Sequence, residues 1–239
     1  MIALLLAIGA AVAVAVAVAL LRRSGTGWRI GRLLAAAPER TLSDAVAMAE
    51  RGDGAYVRVT GRVGSDEEFP DEHDNPLVFR RRRLQQSDGR NWRTIGDERD
   101  AVPFWLEERG VRVGIDVDAI ADGLVVVPRL AEGLASELEA GVAPGFADLP
   151  ADSLLRLRIE QVSAVEHAWA CGVVETAPDG SPRMTAGLGR PLVLTPLEPA
   201  AAMRVLASEN RSSVLIATGL LVAAAIAATA AVLAFLAGV

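Results

Sequence analysis

The sequence predicts an α+β membrane protein in which a β-rich antiparallel meander or small barrel lies between two terminal transmembrane helices. Two observations carry this expectation. Between residues 56 and 127, short apolar runs alternate with Gly, Pro and acidic breaks at the spacing of short strands. At the two ends, residues 2–21 and 212–239 contain no charged side chain, and about 20 apolar residues suffice to cross a bilayer. The expected organisation is a transmembrane helix at 2–21, a juxtamembrane linker at 22–40, a β-rich domain at 41–208 and a second transmembrane helix at 212–238.

Composition narrows the function. The net charge is -6 and the pI near 5.1, which opposes general nucleic-acid binding because that needs a basic face. The mean hydropathy of +0.32 is high, with the excess at the ends. A single cysteine excludes an internal disulfide and any multi-cysteine zinc site, and two histidines leave little for a metal centre. No metal and no cofactor is expected.

Alternating Ala and Val over 11–19 has the period of a strand, but an isolated segment in lipid satisfies its backbone only as a helix. Arg22 and Arg23 follow the apolar run instead of preceding it, which favours a retained anchor over a cleaved signal peptide. Ala3, Ala7, Ala11, Ala15 and Ala19 form one small-residue stripe, and Ala223, Ala227 and Ala231 another, so the two helices are expected to pack through them. Arginines lie only on the inner flanks (Arg22, Arg23, Arg29, Arg32, Arg204, Arg211), which predicts a cytoplasmic domain. Trp28 suits a membrane interface.

Residues 41–51 read as a short helix with Thr41 and Asp44 at its start and Gly52 and Gly54 beyond its end. The first strand alternates Val57 and Val59 against Arg58 and Thr60. Residues 66–75 form an acidic loop without the ordered ligand spacing of a calcium site. Arg80, Arg81, Arg82 and Arg83 lie on a strand. They read either as a solvated edge partly neutralised by that loop or as a patch for anionic lipid headgroups. Residues 97–100 suit a turn and 101–106 a strand, with Pro103 at an edge or bulge. Trp92, Phe104 and Trp105 are expected to fill the core or its rim. Residues 130–140 read as a helix weakened by Gly133, and strands follow near 154–162, 168–174 and 192–194. On a strand His167 and Cys171 stand about 13 Å apart, too far for one ion, so Cys171 reads as a buried small residue.

The order Gly61, Pro76-Leu77 with an Arg-rich strand, Trp92-Arg93-Thr94, an acidic turn, Pro103-Phe104 with Leu106, and Gly110 to Val113 resembles the GIDE domain. This domain is also called BAM, for "beside a membrane". It occurs in mitochondrial membrane-anchored ubiquitin ligases and in many prokaryotic proteins. The resemblance covers residues 41–239, although the small-residue and cysteine segment that often follows the Pro-Leu pair is missing. It implies a structural role for Gly61, Pro76, Leu77, Trp92, Pro103, Phe104 and Leu106. Transferase activity in that family belongs to a separate RING domain whose zinc ions each take four Cys/His ligands, and this chain has too few.

The expected function is therefore a membrane-anchored interaction module that docks a protein partner or the lipid interface without catalysis. The alternative is a component of a ubiquitin-ligase-like system whose transferase lies elsewhere. A membrane hydrolase using the 66–74 carboxylates lacks a nucleophile elbow, a phosphate loop or a paired-acid constellation. The expected partners are the lipid bilayer and a protein, with self-association also open.

Overall fold

The computed structural model describes residues 2–23, 25–89, 91–121, 123–137 and 149–236. Its elements are α1 (Ile2–Arg23), α2 (Gly25–Ala36), α3 (Leu42–Glu50), β1 (Tyr56–Gly64), β2 (Phe69–Pro70), β3 (Pro76–Ser87), β4 (Trp92–Ala101), β5 (Trp105–Glu108), β6 (Val111–Ile115), β7 (Arg129–Leu134), β8 (Leu154–Ser163), β9 (His167–Thr176), β10 (Pro182–Thr185), β11 (Val193–Thr195) and α4 (Pro199–Leu236). They fall into two compact units, Ala36–Ala202 and the pair of segments Met1–Ala35 and Met203–Val239.

In the Ala36–Ala202 unit, β1, β5, β6, β10 and β9 follow one another around a barrel that closes where β9 pairs with β1. All these pairings are antiparallel except β10 with β6. Numbered along the chain, the barrel strands run 1-2-3-5-4-1 with the third and fifth parallel. That is the connectivity of an OB-type barrel, a topological likeness that carries no ligand with it. Closure removes the sheet edges that a free meander would expose. Alternation along β1 sends Val57, Val59 and Val63 inward, where they meet Leu106, Val113, Ala170 and Met184. Gly61 belongs to the same inward series. A Cβ there would stand 3.0 Å from the Glu107 carbonyl, so the close approach of β1 to β5 favours glycine.

The second sheet runs β2-β3-β8-β7, with β4 on β3. Its strands come from the two long insertions in the barrel, β2 to β4 between β1 and β5, and β7 and β8 between β6 and β9. Val78, Phe79 and Val162 join the barrel's apolar core. The helix α3 packs Leu42 and Ala45 into that core, and the Thr41 hydroxyl caps it by accepting from the Asp44 amide at 3.1 Å.

Several expectations are corrected here. The run from 56 to 127 is not one meander, because neighbouring strands in sequence divide between the barrel and the second sheet. Residues 97–100 lie within β4, where pairing to the arginines of β3 overrides their turn propensity. Residues 102–104 leave the sheet, as Pro103 has no amide to give a ladder. Residues 130–134 form β7 against β8, not a helix. Among the described residues of 118–128, where the short apolar runs continue, Leu124 alone takes part in a β-bridge, with Leu194. Most of the 22–40 linker is the helix α2.

In the other unit, α1 is helical despite its period-two pattern, and α4 is one continuous helix. Among the described residues no helix is long and apolar enough to cross a membrane. This overturns the α+β membrane fold class with terminal transmembrane helices. The two-pass integral placement with a cytoplasmic domain falls with it. Trp28 at an interface lies outside the described side chains.

The expected alanine stripes are also displaced. Ala11, Ala15, Ala19 and Ala223 are exposed, whereas Ala10, Ala17 and Ala224 are buried. Ala10 to Ala17 is a heptad step, which keeps to one helix face better than repeated steps of four. Ala3, Ala7 and Ala231 lie outside the described side chains. Gly31 of α2 faces Met203 of α4 so closely that a Cβ would stand 2.9 Å from its sulfur.

Candidate interaction site

The arginine run of β3 is held by carboxylates of its own sheet. Arg80 donates to Asp100 at 2.9 Å, and Arg82 meets Glu98 at 3.0 Å. Arg81, buried, donates through two nitrogens to Asp97 at 2.8 and 2.6 Å and through Nη1 to the Ala121 carbonyl. Arg83 donates to both oxygens of the buried Glu160, which Arg158 also reaches at 2.8 Å. The Arg81 fork holds the Asp97 carboxyl below its ordinary range. The neutralising charges thus come from β4 and β8, not from the acidic loop. The side chains of 80–83 consequently tie three strands together and leave little free charge for lipid headgroups.

The acidic loop folds on itself. Asp71 Oδ1 accepts from the His73 and Asn75 amides at 2.7 and 2.9 Å, and its carboxylate accepts from the Asn75 side chain. The Asn75 side-chain bond leads the causes that pull the Asp71 carboxyl well below the usual range. Among the described residues no group of three or more His, Cys, Asp or Glu is placed to hold a metal ion.

Leu77, Phe104 and Leu106 are core, and the Pro76 carbonyl accepts from the Ala164 amide at 3.0 Å. Trp92 lies under the Arg156 guanidinium, 3.9 Å from the ring centroid. The Pro103 carbonyl is 2.6 Å from the Ser65 hydroxyl. Cys171 is fully buried in β9, and burial pushes its thiol up to about 12. Burial therefore favours the thiol over the reactive thiolate. His167, on the same strand, is exposed.

A groove of about 360 Å³ opens where β1 ends. Its walls are residues 62–64 of β1 with Ser65 and Glu68 just beyond it, Trp105, Glu107 and Arg109 from β5 and its turn, and Ala164 with Val165 between β8 and β9. Strand register builds it by setting Arg62 opposite Glu107 and Gly64 opposite Trp105. The indole lies against Gly64 and carries the Arg112 guanidinium 4.7 Å from its ring centroid. Glu107 fixes Arg112 at 2.7 Å, so the negative charge of Glu107 is answered inside the wall. Arg109 and Gly110 both have positive φ, 51° and 82°, as a tight two-residue hairpin turn requires. The turn places the exposed Arg109 among the groove's lining residues. Neither Arg62 nor Arg109 makes an ion pair with a described residue.

No family model matches this chain, and no curated protein or solved structure matches it.

Sequence reasoning placed Trp105 in the core or its rim and passed over Arg62, Arg109 and Val165. Alternation along β1 does put Arg62 on the outward face, and Arg109-Gly110 between two apolar runs is a hairpin signal. That the two arginines face one groove depends on barrel closure, which brings 62, 109 and 165 together across the chain.

Proposed function

We propose that the Ala36–Ala202 unit is a non-catalytic interaction module that docks a protein partner in the groove between β1, β5 and the 164–165 turn. The observation that carries this reading is charge bookkeeping along the strands. The arginines of β3, with Arg112, Arg156, Arg158 and Arg183, meet carboxylates within the fold. Arg62 and Arg109, which like Arg40, Arg93 and Arg99 make no ion pair with a described residue, come together in one concavity beside an anchored tryptophan and the exposed Val165. Aromatic and arginine side chains around a partly apolar recess are the composition of a docking surface. A buried, protonated Cys171 and the self-bonded Asp71 loop favour scaffolding over turnover. The GIDE-like motif order points the same way, since that family's transferase chemistry lies in a separate domain.

Site-specific photo-crosslinking tests the reading. A benzophenone side chain at Val165, 57% exposed, is expected to give a discrete adduct that Arg62→Ala/Arg109→Ala abolishes. The same group at Leu188, 67% exposed and outside the groove, should not give it. Equal adducts from both positions would contradict the reading.

Association of the helical unit with a lipid interface is a second, separate reading. It is favoured by Ile8, Val12, Val14, Val16 and Val18 on α1 and Ile216, Val222 and Ile226 on α4, all of them exposed. Exposed apolar faces of this kind mark membrane or protein contacts. Flotation of the full chain with vesicles tests it, and recovery of all the protein in the lipid-free fraction would reject it.

A further inference from the structure

The groove's lining also narrows the class of partner, an inference that rests on the docking reading above. We infer that it takes an acidic peptide segment, with one carboxylate between Arg62 and Arg109 and a neighbouring apolar side chain on Val165. The charge balance leads there. Glu107, one of the two lining carboxylates, is engaged from outside the lining by Arg112, so that Arg62, Arg109 and Arg112 together stand against Glu68 and Glu107, an excess of one positive charge around the groove. This excess sits on a chain whose net charge is -6. A basic partner would be drawn elsewhere on such a surface, and an acidic one would be focused here.

Guanidinium groups match a carboxylate through paired N–H donors. Arg62 reaches the groove from β1 and Arg109 from the β5–β6 turn, two separate elements of one rigid barrel. The Trp105 ring is fixed between Gly64 and Arg112 and forms a wall. Val165, beside the buried Ala164, adds an exposed apolar side chain to the lining. A recess of about 360 Å³ stands at the small end of ligand sites. It suits one or two side chains of a peptide better than a large cofactor.

Fluorescence anisotropy of the full chain with a labelled hexapeptide of alternating Asp and Leu tests this, beside the same peptide with Asn for Asp. Arg62→Ala/Arg109→Ala should weaken binding of the Asp peptide about tenfold or more. Arg93→Ala/Arg99→Ala, which removes two exposed β4 arginines outside the groove, should change it by less than about twofold. The Asn peptide should bind the unaltered chain as weakly as the Asp peptide binds the groove variant. Equal losses in both double variants, or equal binding of the two peptides, would overturn the inference. Phosphatidylserine vesicles form a further arm. If the groove variant loses vesicle binding and keeps peptide binding, the anion is a lipid phosphate and the peptide assignment is wrong. A Val165 adduct without Asp-peptide binding would leave docking standing and reject the acidic class, whereas loss of both would reject the two together.

Discussion

Gly64 and Trp105 lie so close across the β1–β5 ladder that a Cβ on Gly64 would stand 2.8 Å from the indole nitrogen. The glycine is there for approach, since it lets the ring lie flat on the strand and form one wall of the groove. Gly64→Ala should push the ring off β1 and loosen its stack with Arg112. Overpacking of this kind costs about 1–3 kcal/mol. Urea denaturation should show a loss in that range, accompanied by a red shift in tryptophan emission. An unchanged midpoint with an unchanged spectrum would mean that the ring does not need the glycine.

The two arginine faces of β3 should respond differently to truncation. Arg81 is buried against Asp97 and a carbonyl, so Arg81→Ala strands polar groups and should destabilise by about 2–3 kcal/mol, short of a fully buried pair because Asp97 is partly solvated. Arg80 pairs with an Asp100 that is 40% exposed, and Arg80→Ala should cost at most about 1 kcal/mol. Equilibrium unfolding of the two variants measures both. Equal losses would contradict the assignment of the inner and outer faces.

Much of the local structure was legible in the sequence, and the larger arrangement was not. The Val57/Val59 alternation and the Thr41 cap follow from side-chain period and hydrogen-bonding chemistry, and the structure has β1 and α3 there. The pairing of β3 with β4 and β8 could not be read the same way. The carboxylates that neutralise the arginine run lie 16 to 77 residues away in sequence, so the nearer acidic loop looked like the partner. Asp97 to Asp100 resembled a turn for the same reason, because turn propensity is local and cross-strand pairing is not. The groove needs barrel closure to bring Arg62, Arg109 and Val165 together, and no single stretch announces it. At the ends the apolar runs are helical, but no described helix is long and apolar enough to cross a membrane, and the buried positions are Ala10, Ala17 and Ala224 rather than the expected stripes.

Burial at Ala17 is complete, so Ala17→Phe should disrupt packing in the helical unit. Ala11 is exposed, and Ala11→Phe should be tolerated. Thermal unfolding monitored by helical circular dichroism would show a lowered midpoint for the first variant alone. The reverse order would restore the stripe through Ala11 and Ala15.

Acid should destabilise the fold through Asp71 and Asp97, whose carboxyls are both held below their ordinary range. For depressed carboxyls the stabilisation is fully present above the unfolded value near about 4 and is lost as pH falls through the folded values. Denaturant midpoints should therefore hold steady from about pH 6 to 5 and fall steadily below about pH 4. Asp71→Asn should flatten the acid limb. An identical acid slope in that variant would remove Asp71 from the account.

The central claim is that the groove between β1, β5 and the 164–165 turn is where a partner docks. Hydrogen exchange of the full chain with and without the Asp/Leu hexapeptide tests it most directly, because protection is read segment by segment. The account predicts added protection in 62–65, 105–110 and 164–166, with β3 and β4 unchanged. Protection confined to the arginine run of β3, or spread evenly over the barrel, would contradict it.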